Sequence, residues 1–287
     1  MKQETLTRRN VDQLRRTNFK VAEAIAPGWE RQRAFIEEVS APVREWMIRE
    51  LSPRPGQTVL ELAAGAGDSG FEAAACVGER GRLISTDLSP TMVGVARRRG
   101  SELGVANVDF RVIDAERIEL DADSVDGVLC RLGYMLMADP ATALSETRRV
   151  LRAGGRLALA VWGAPDRNPF FAIVAMILAH GGHMAPPEPE APGIFSMARE
   201  ERTRTLLEDV GFSDVYTEEV PVRFRLADID QYLAVTTDTA GAVAIALRGL
   251  SDAERTQVKA RLEEAFADFR IDGGYELSGV ALCAAAS

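Results

Sequence analysis

The chain has 287 residues, of which 46% are hydrophobic and 27% charged, and its formal net charge is −9 at neutral pH. That length suits one large α/β domain with a cap, or two domains sharing a cleft, and it should bury a sizeable core. The acidic balance and the lack of any basic run argue against nucleic acid or anionic membranes as partners, because phosphate recognition draws on clustered Lys and Arg.

Cys76, Cys130 and Cys283 lie far apart in apolar surroundings with no C-x-x-C spacing. Neither a metal site nor a disulfide framework is expected, and the thiols read as buried in a reducing cytoplasm. Residues 1–10 are polar and lack the apolar stretch of a secretory signal. The longest apolar run, residues 170–179, is too short to cross a bilayer, so no stable membrane insertion is expected.

Residues 11–51 carry a helical period, with Phe35, Ile36, Val39, Val43, Trp46 and Met47 returning at steps of three and four. Trp29, just after Pro27-Gly28, reads as packing more than as a platform for a ligand. Ser52-Pro53-Arg54-Pro55-Gly56 breaks this helical cap. A strand over 58–63 then runs into Gly65-Ala66-Gly67 and an Ala-rich helix over 68–77. Glycine suits such a turn because it tolerates positive φ and lets backbone approach a ligand with no Cβ in the way. Gly65, Gly67 and Gly70 even satisfy the G-x-G-x-x-G spacing of dinucleotide binders, although a turn that merely packs a helix on a strand looks the same.

The second strand, over 82–86, ends in Asp87, twenty residues after Gly67. At that distance a βαβ unit brings an acid beside the first turn, where it can accept ribose hydroxyls. Ser89-Pro90 reads as an N-cap with proline in the first turn of a helix. That helix should pack through Met92, Val93, Val95 and Ala96 and turn Arg97-Arg98-Arg99 to solvent. A third strand, over 108–113, ends in Asp114-Ala115-Glu116. The fourth, over 127–130, continues into Arg131 and Tyr134. Asp139-Pro140 caps a helix to Leu151, Ala153-Gly154-Gly155 turns, and a fifth strand covers 156–162. Strands alternating with helices make a parallel α/β sheet, with ligands expected outside the carboxyl ends of the strands.

The charges near the turn narrow the ligand. Glu61 lies inside the first strand and Asp68 follows Gly67, so a pyrophosphate, which seeks the bare positive end of a helix, would be repelled. S-adenosylmethionine carries a sulfonium, an ammonium, ribose hydroxyls and an adenine amine. Carboxylates around a glycine turn suit it.

Four motifs in this order resemble the class I S-adenosylmethionine-dependent methyltransferases, nearest to the ubiquinone/menaquinone-biosynthesis-like (methyltransferase type 11) branch. They are Val59-Leu60-Glu61-Leu62-Ala63-Ala64-Gly65-Ala66-Gly67, Ser85-Thr86-Asp87-Leu88-Ser89-Pro90-Thr91-Met92, Asp114-Ala115-Glu116 and Arg148-Arg149-Val150-Leu151-Arg152-Ala153-Gly154-Gly155. The resemblance covers about residues 51–162, and Ala63 stands where the family usually has its first glycine. It implies a doubly wound, mostly parallel, Rossmann-like sheet of seven strands with an antiparallel last strand, plus a helical lid. It further implies that Gly65 and Gly67 floor the cofactor beside Ala63, that Glu61 helps hold the ammonium, and that Asp87 grips the ribose. Leu88 and Met92 would sandwich adenine, Asp114 would accept from its amine beside Glu116, and the Ala115 backbone would read the ring. Cys130 and Arg131 would face the methionine tail and the incoming substrate. S-adenosyl-L-homocysteine is the product that such a reaction leaves.

The rest of the chain departs from a minimal core of that kind. The expected organisation is a helical cap over 1–51, a cofactor-binding core over 52–162, an inserted lid over 163–198, core again over 199–226, a helical insertion over 227–274 and the last strand over 275–287. Within the second insertion, 228–248 and 252–269 look helical, and the Pro-rich piece 186–193 reads as a mobile loop across the entrance. Trp162, Phe170, Phe171, Met176, Met184, Phe195 and Met197 point to a small apolar or aromatic acceptor, methylated on oxygen or carbon. Tyr134, His180 and His183 are the candidate bases; in the alternative no base acts, because the sulfonium is already activated and positioning carries the transfer. Rival readings are an NAD(P)-dependent oxidoreductase on the same turn and a non-catalytic cofactor-binding module. A homodimer stays open.

Overall fold

The computed structural model describes residues 8–186 and 192–287. Two helices lead in: α1 (Arg8–Arg31), which carries Pro27 near its end, and α2 (Arg33–Leu51), parted from it at Gln32. The helical stretch expected over 11–51 is therefore two helices. The α2 stripe of Val39, Val43, Trp46, Met47 and Leu51 is buried, as its three- and four-residue spacing requires.

Strand β1 (Thr58–Glu61), helix α3 (Asp68–Val77), strand β2 (Arg82–Asp87), helix α4 (Pro90–Glu102) and strand β3 (Val108–Val112) follow as successive crossover units. Ser89 caps α4 as its sequence requires, its Oγ accepting from the Met92 N–H at 3.0 Å. β4 (Val125–Arg131) leads to α5 (Pro140–Val150), where Asp139 accepts from the Thr142 N–H at 3.1 Å. β5 (Leu151–Trp162) begins five residues before the expected 156, because the Gly154 turn is taken up as an irregularity in its pairing with β4.

Beyond β5 come α6 (Pro169–His180), α7 (Glu200–Asp209), β6 (Tyr216–Leu226), α8 (Ile229–Thr239), α9 (Gly241–Arg248), α10 (Asp252–Ala265), β7 (Arg270–Ile271) and β8 (Gly274–Ala286). The helix expected over 228–248 is broken between α8 and α9, where Gly241 takes φ 52. The expected loop over 186–193 falls mostly outside the described residues.

The strand order is β3-β2-β1-β4-β5-β8-β6, with the two-residue β7 paired onto β8. The expected seven strands are all present and β7 is an eighth. Pairs among β1 to β5 are parallel, whereas β8 runs antiparallel to both β5 and β6. Because the order reverses between β1 and β4, right-handed crossovers put α3 and α4 on one face and α5 on the other. The carboxyl ends of β1, β2 and β4 meet at that reversal. β8 pairs β5 only from Ala286 to Ala281, but pairs β6 on to Tyr275, so this antiparallel pair stands past Trp162 as a support for α6 and α8. Among the described residues no helix is long and apolar enough to cross a membrane.

Candidate active site

The glycine turn leaves β1 through three residues at positive φ: Ala63 at 50°, Gly65 at 59° and Gly67 at 90°. A Cβ on Gly67 would sit 2.6 Å from the Phe71 ring, and one on Gly65 would sit 3.6 Å from the Trp29 ring. Gly67 is thus required by contact, whereas Gly65 has room for a Cβ and is favoured only by its left-handed φ. Asp87, at the end of β2, binds the turn directly: Oδ2 accepts from the Gly65 N–H at 3.1 Å and Oδ1 from the Ser89 N–H at 3.0 Å. Burial pushes its carboxyl up from the usual aspartate value, against hydrogen bonds from Ser89, Gly65 and Leu88 that favour the ion.

Glu61 and Asp68 are used inside the protein. Glu61 is 2% exposed; Oε1 accepts from the Gly70 N–H at 2.7 Å and Oε2 from the Ser85 hydroxyl at 3.1 Å. Burial pushes its carboxyl up to about 7, with Arg131 and these hydrogen bonds opposing. Its role here is to fasten the first turn of α3, so the ammonium contact implied by resemblance is not carried forward. Asp68 accepts from Arg99 Nε at 3.2 Å. The charge argument against a pyrophosphate, made from Glu61 and Asp68, therefore loses most of its force.

Cys130 and Arg131 end β4 on opposite faces. Cys130 is fully buried, and burial pushes its thiol up to about 12, which leaves it unreactive. Arg131 donates from Nε to Ser69 Oγ at 2.9 Å, while its buried Nη1 has no hydrogen-bond partner among the described residues. Leu132, next along, takes φ 61. Strained backbone at two neighbouring strand ends, Ala63 and Leu132, fits the tendency of such residues to gather at functional sites.

The residues expected around adenine come together. Asp87 pairs with Val112 in the sheet, and the Ile113 N–H donates to the Asp87 carbonyl at 3.1 Å, so Leu88 and Met92 share one edge with Asp114, Ala115 and Glu116. Asp114 Oδ1 accepts from the Glu116 N–H at 2.9 Å. Glu116 faces inward, pairing with Arg15 at 2.7 Å and accepting from the Ala138 N–H at 2.8 Å.

Helix α1 lies across this edge. Glu23 accepts hydrogen bonds from the Ser89 hydroxyl and, at 2.8 Å, from the Thr91 hydroxyl; Asn18 donates to the Leu136 carbonyl at 2.7 Å. Ala26 and Trp29 pack with Ala66, Met92 and Val95. Trp29 Nε1 donates to the Thr239 carbonyl of α8 at 3.3 Å, and Asp238 pairs with Arg31. Trp29 packs, as its sequence reading favours, whereas Arg15 and Glu23 beside this edge were not singled out by local patterning, because their partners are distant in sequence.

The candidate bases stand apart. Tyr134 is fully buried, its hydroxyl 2.7 Å from Thr147 Oγ1, and burial raises it well above the usual phenol value. His180 contacts the Met176 carbonyl and His183 lies 3.9 Å from Glu254 of α10, both histidines belonging to the segment 163–198. The apolar residues expected to line an acceptor pocket mostly join the core: Trp162 packs on Phe171 with centroids 4.7 Å apart, and Phe170 on Phe224 at 4.1 Å. Phe35 and Phe171 are the partly exposed rings of that cluster.

Comparison with known proteins bears on the fold and on the kind of enzyme. Residues 40–176 match the model of the ubiE/COQ5 methyltransferase family. The ubiquinone/menaquinone biosynthesis C-methyltransferase UbiE of Cellvibrio japonicus is 32% identical over 126 residues, 44% of this chain and 51% of that protein. UbiE of Haemophilus ducreyi is 29% identical over 172 residues, 56% of this chain and 66% of that protein. The chain therefore spans only part of the length of these relatives. The YcgJ protein of Bacillus subtilis shares the fold, with a TM-score of 0.57 and 21% identity over 85% of this chain and 96% of that one. Through residues 40–176, the chain is thus similar to the ubiE/COQ5 methyltransferase family, a class I S-adenosylmethionine-dependent methyltransferase family.

Proposed function

We propose that the chain transfers a methyl group from S-adenosylmethionine to a carbon or oxygen of a small apolar or aromatic acceptor. The observation that carries this reading is the position of Asp87, which binds the amide of Gly65 and that of Ser89 at once. A carboxylate so fixed keeps its remaining lone pairs for a ribose diol, beside glycines that leave room for backbone approach. The residues present fit the cofactor on a further count, since Arg131 Nη1 is buried at the first turn of α3 with no hydrogen-bond partner among the described residues.

S-adenosylmethionine supplies a methyl group already activated by its sulfonium. In this reading Leu88 and Met92 flank the adenine, Asp114 accepts from the adenine amine, and Asp87 holds the ribose. Helix α1 and the segment after β5 exclude water and align the acceptor, and such positioning can supply much of the rate. No side chain is assigned as base, because Tyr134 is locked in the core and both histidines, within 163–198, are turned to Met176 and Glu254. The acceptor must then present an acidic or carbanion-like centre. Both UbiE relatives are named as C-methyltransferases, which favours carbon.

The test is incubation with a methyl-labelled donor and a panel of phenolic, enolic and aliphatic acceptors. Label in an apolar phenolic or enolic acceptor is expected. Cofactor binding with no transfer to any acceptor would instead favour a non-catalytic binding module.

A further inference from the structure

The end of α1 is held from outside the cofactor-binding core. Pro27 offers no N–H, and Gln32, at φ −92° and ψ 9°, parts α1 from α2, so residues 28–31 form a short joint between two irregularities. Trp29 sits in this joint. It packs with Ala66 of the glycine turn and with Met92, which flanks the adenine in the proposed reading.

Helix α8 of the second insertion supplies the hold. Asp238 stands in its last turn, where the helix dipole opposes an acid, so its place there calls for partners. It has two. Oδ2 accepts from Gln32 Nε2 at 2.8 Å and from Arg31 Nε at 3.3 Å, and Oδ1 accepts from Arg31 Nη2. Burial pushes the Asp238 carboxyl up, but the hydrogen bonds from Arg31 and Gln32 outweigh it and leave the group below the usual aspartate value. The next residue completes the hold: the Thr239 carbonyl, one of those that a helix end leaves without an N–H of its own, accepts from Trp29 Nε1 at 3.3 Å. A Cβ on Gly28 would run into the Asp238 carbonyl, so glycine is what lets the two helices approach this closely. Arg248 of α9 adds a bond to the Ala24 carbonyl at 3.0 Å.

We propose that Asp238 is a positioning residue for the donor: from the insertion it locks the joint between α1 and α2, and so holds Trp29 against the glycine turn and Met92 before the donor arrives. The assignment rests on the methyltransferase reading and adds a control of donor affinity from outside the pocket. Trp29, Arg31, Gln32 and Asp238 all lie outside residues 40–176, the part that matches the family model. Asp238 acts through Trp29 and not by contact with the donor. A joint already locked spares the donor the cost of ordering it, which is how preorganisation raises affinity.

The experiment is calorimetric titration of the full chain with S-adenosylhomocysteine, together with the tryptophan emission of the ligand-free chain. Asp238→Ala should weaken binding by about tenfold. Asp238→Asn keeps an acceptor for Gln32 but no charge for Arg31, and should fall between. Asp230→Ala is the control, because it removes from the same helix an ion pair directed at α10, that with Lys259 at 2.6 Å, and should leave affinity within about twofold. With no ligand present, Asp238→Ala should also move the emission to longer wavelength. That shift should vanish in a Trp29→Phe background, since Trp46 donates to Glu218 and Trp162 packs on Phe171. Thermal unfolding checks that each variant is folded, and a variant that is merely less stable would keep the affinity and emission of the unaltered chain. Arg31→Ala removes the exposed partner and tests the same lock, with weaker binding expected, should Asp238→Ala not fold. Unchanged affinity and emission would overturn the assignment, as would tighter binding, which would make α1 an obstruction to the donor, or an equal loss in Asp230→Ala. If the unaltered chain bound no S-adenosylhomocysteine, the methyltransferase reading itself would fall, and this assignment with it.

Discussion

Trp29 of α1 rests against Gly65 of the glycine turn, close enough that a Cβ on the glycine would sit 3.6 Å from the indole ring. The same helix is pinned to α4 through Glu23, which binds Ser89 and Thr91 two and four residues after Asp87. Helix α1 therefore covers the strand ends where the donor belongs, and the donor has to enter between the helix and the turn.

A spectroscopic prediction follows from the position of Trp29. The other tryptophans are remote from the turn: Trp46 donates to Glu218, and Trp162 packs against Phe171. Adding S-adenosylhomocysteine should change the intrinsic tryptophan fluorescence, and Trp29→Phe should abolish most of that change. A signal that survives in Trp29→Phe would mean that the donor binds without disturbing α1.

The buried carboxyl of Glu61 sets a pH dependence. Its value in the folded chain is raised to about 7 from 4.5, so the folded state prefers the neutral form. The stability this group contributes is fully present below about pH 4.5 and is lost as pH rises through about 7. At about 1.36 kcal/mol per pH unit, the loss is on the order of 3 kcal/mol by pH 8. Glu61→Gln keeps an acceptor for the Gly70 amide and a donor for Ser85 without the charge. It should be more stable than the unaltered chain at pH 8 by about 1–3 kcal/mol, with that advantage shrinking toward pH 5. Urea unfolding at the two pH values measures the difference, and an advantage independent of pH would contradict the account.

Ala63 bears the cost of standing in a glycine's place. A left-handed alanine loses about 1–2 kcal/mol, whereas glycine there gives up roughly 0.5–1 kcal/mol in chain entropy. Ala63→Gly should thus be neutral or stabilising by up to about 1 kcal/mol. Ala63→Val, β-branched at φ 50, should lower the melting temperature clearly. A marked loss of stability in Ala63→Gly would show that the Ala63 methyl packs usefully against the Cys130–Gly133 bend.

The sheet was legible because its signals are local. The Ser89 and Asp139 caps and the alternation of apolar runs with Gly and Pro placed β1 to β5 and their crossovers within a few residues. The split between α8 and α9 was not, because a single Gly241 inside an apolar period reads as tolerated until its φ is seen. At the site, the glycines and Asp87 stand out by spacing. What the sequence hides is which charges are already spent: Glu61 and Asp68 look like ligands from their positions, yet their partners Gly70, Ser85 and Arg99 hold them inside. It equally hides the cover, since Glu23 and Ser89 lie 66 residues apart and meet only through the docking of α1.

The most direct test of the central claim is calorimetric titration of the purified chain with S-adenosylhomocysteine, with NADH in parallel and Asp87→Ala as the control variant. The account predicts micromolar binding of S-adenosylhomocysteine alone, weakened about tenfold or more in Asp87→Ala, since a charge-assisted hydrogen bond is worth roughly 1.5–3 kcal/mol. Binding of NADH alone, or affinity for S-adenosylhomocysteine unchanged by the loss of Asp87, would contradict it.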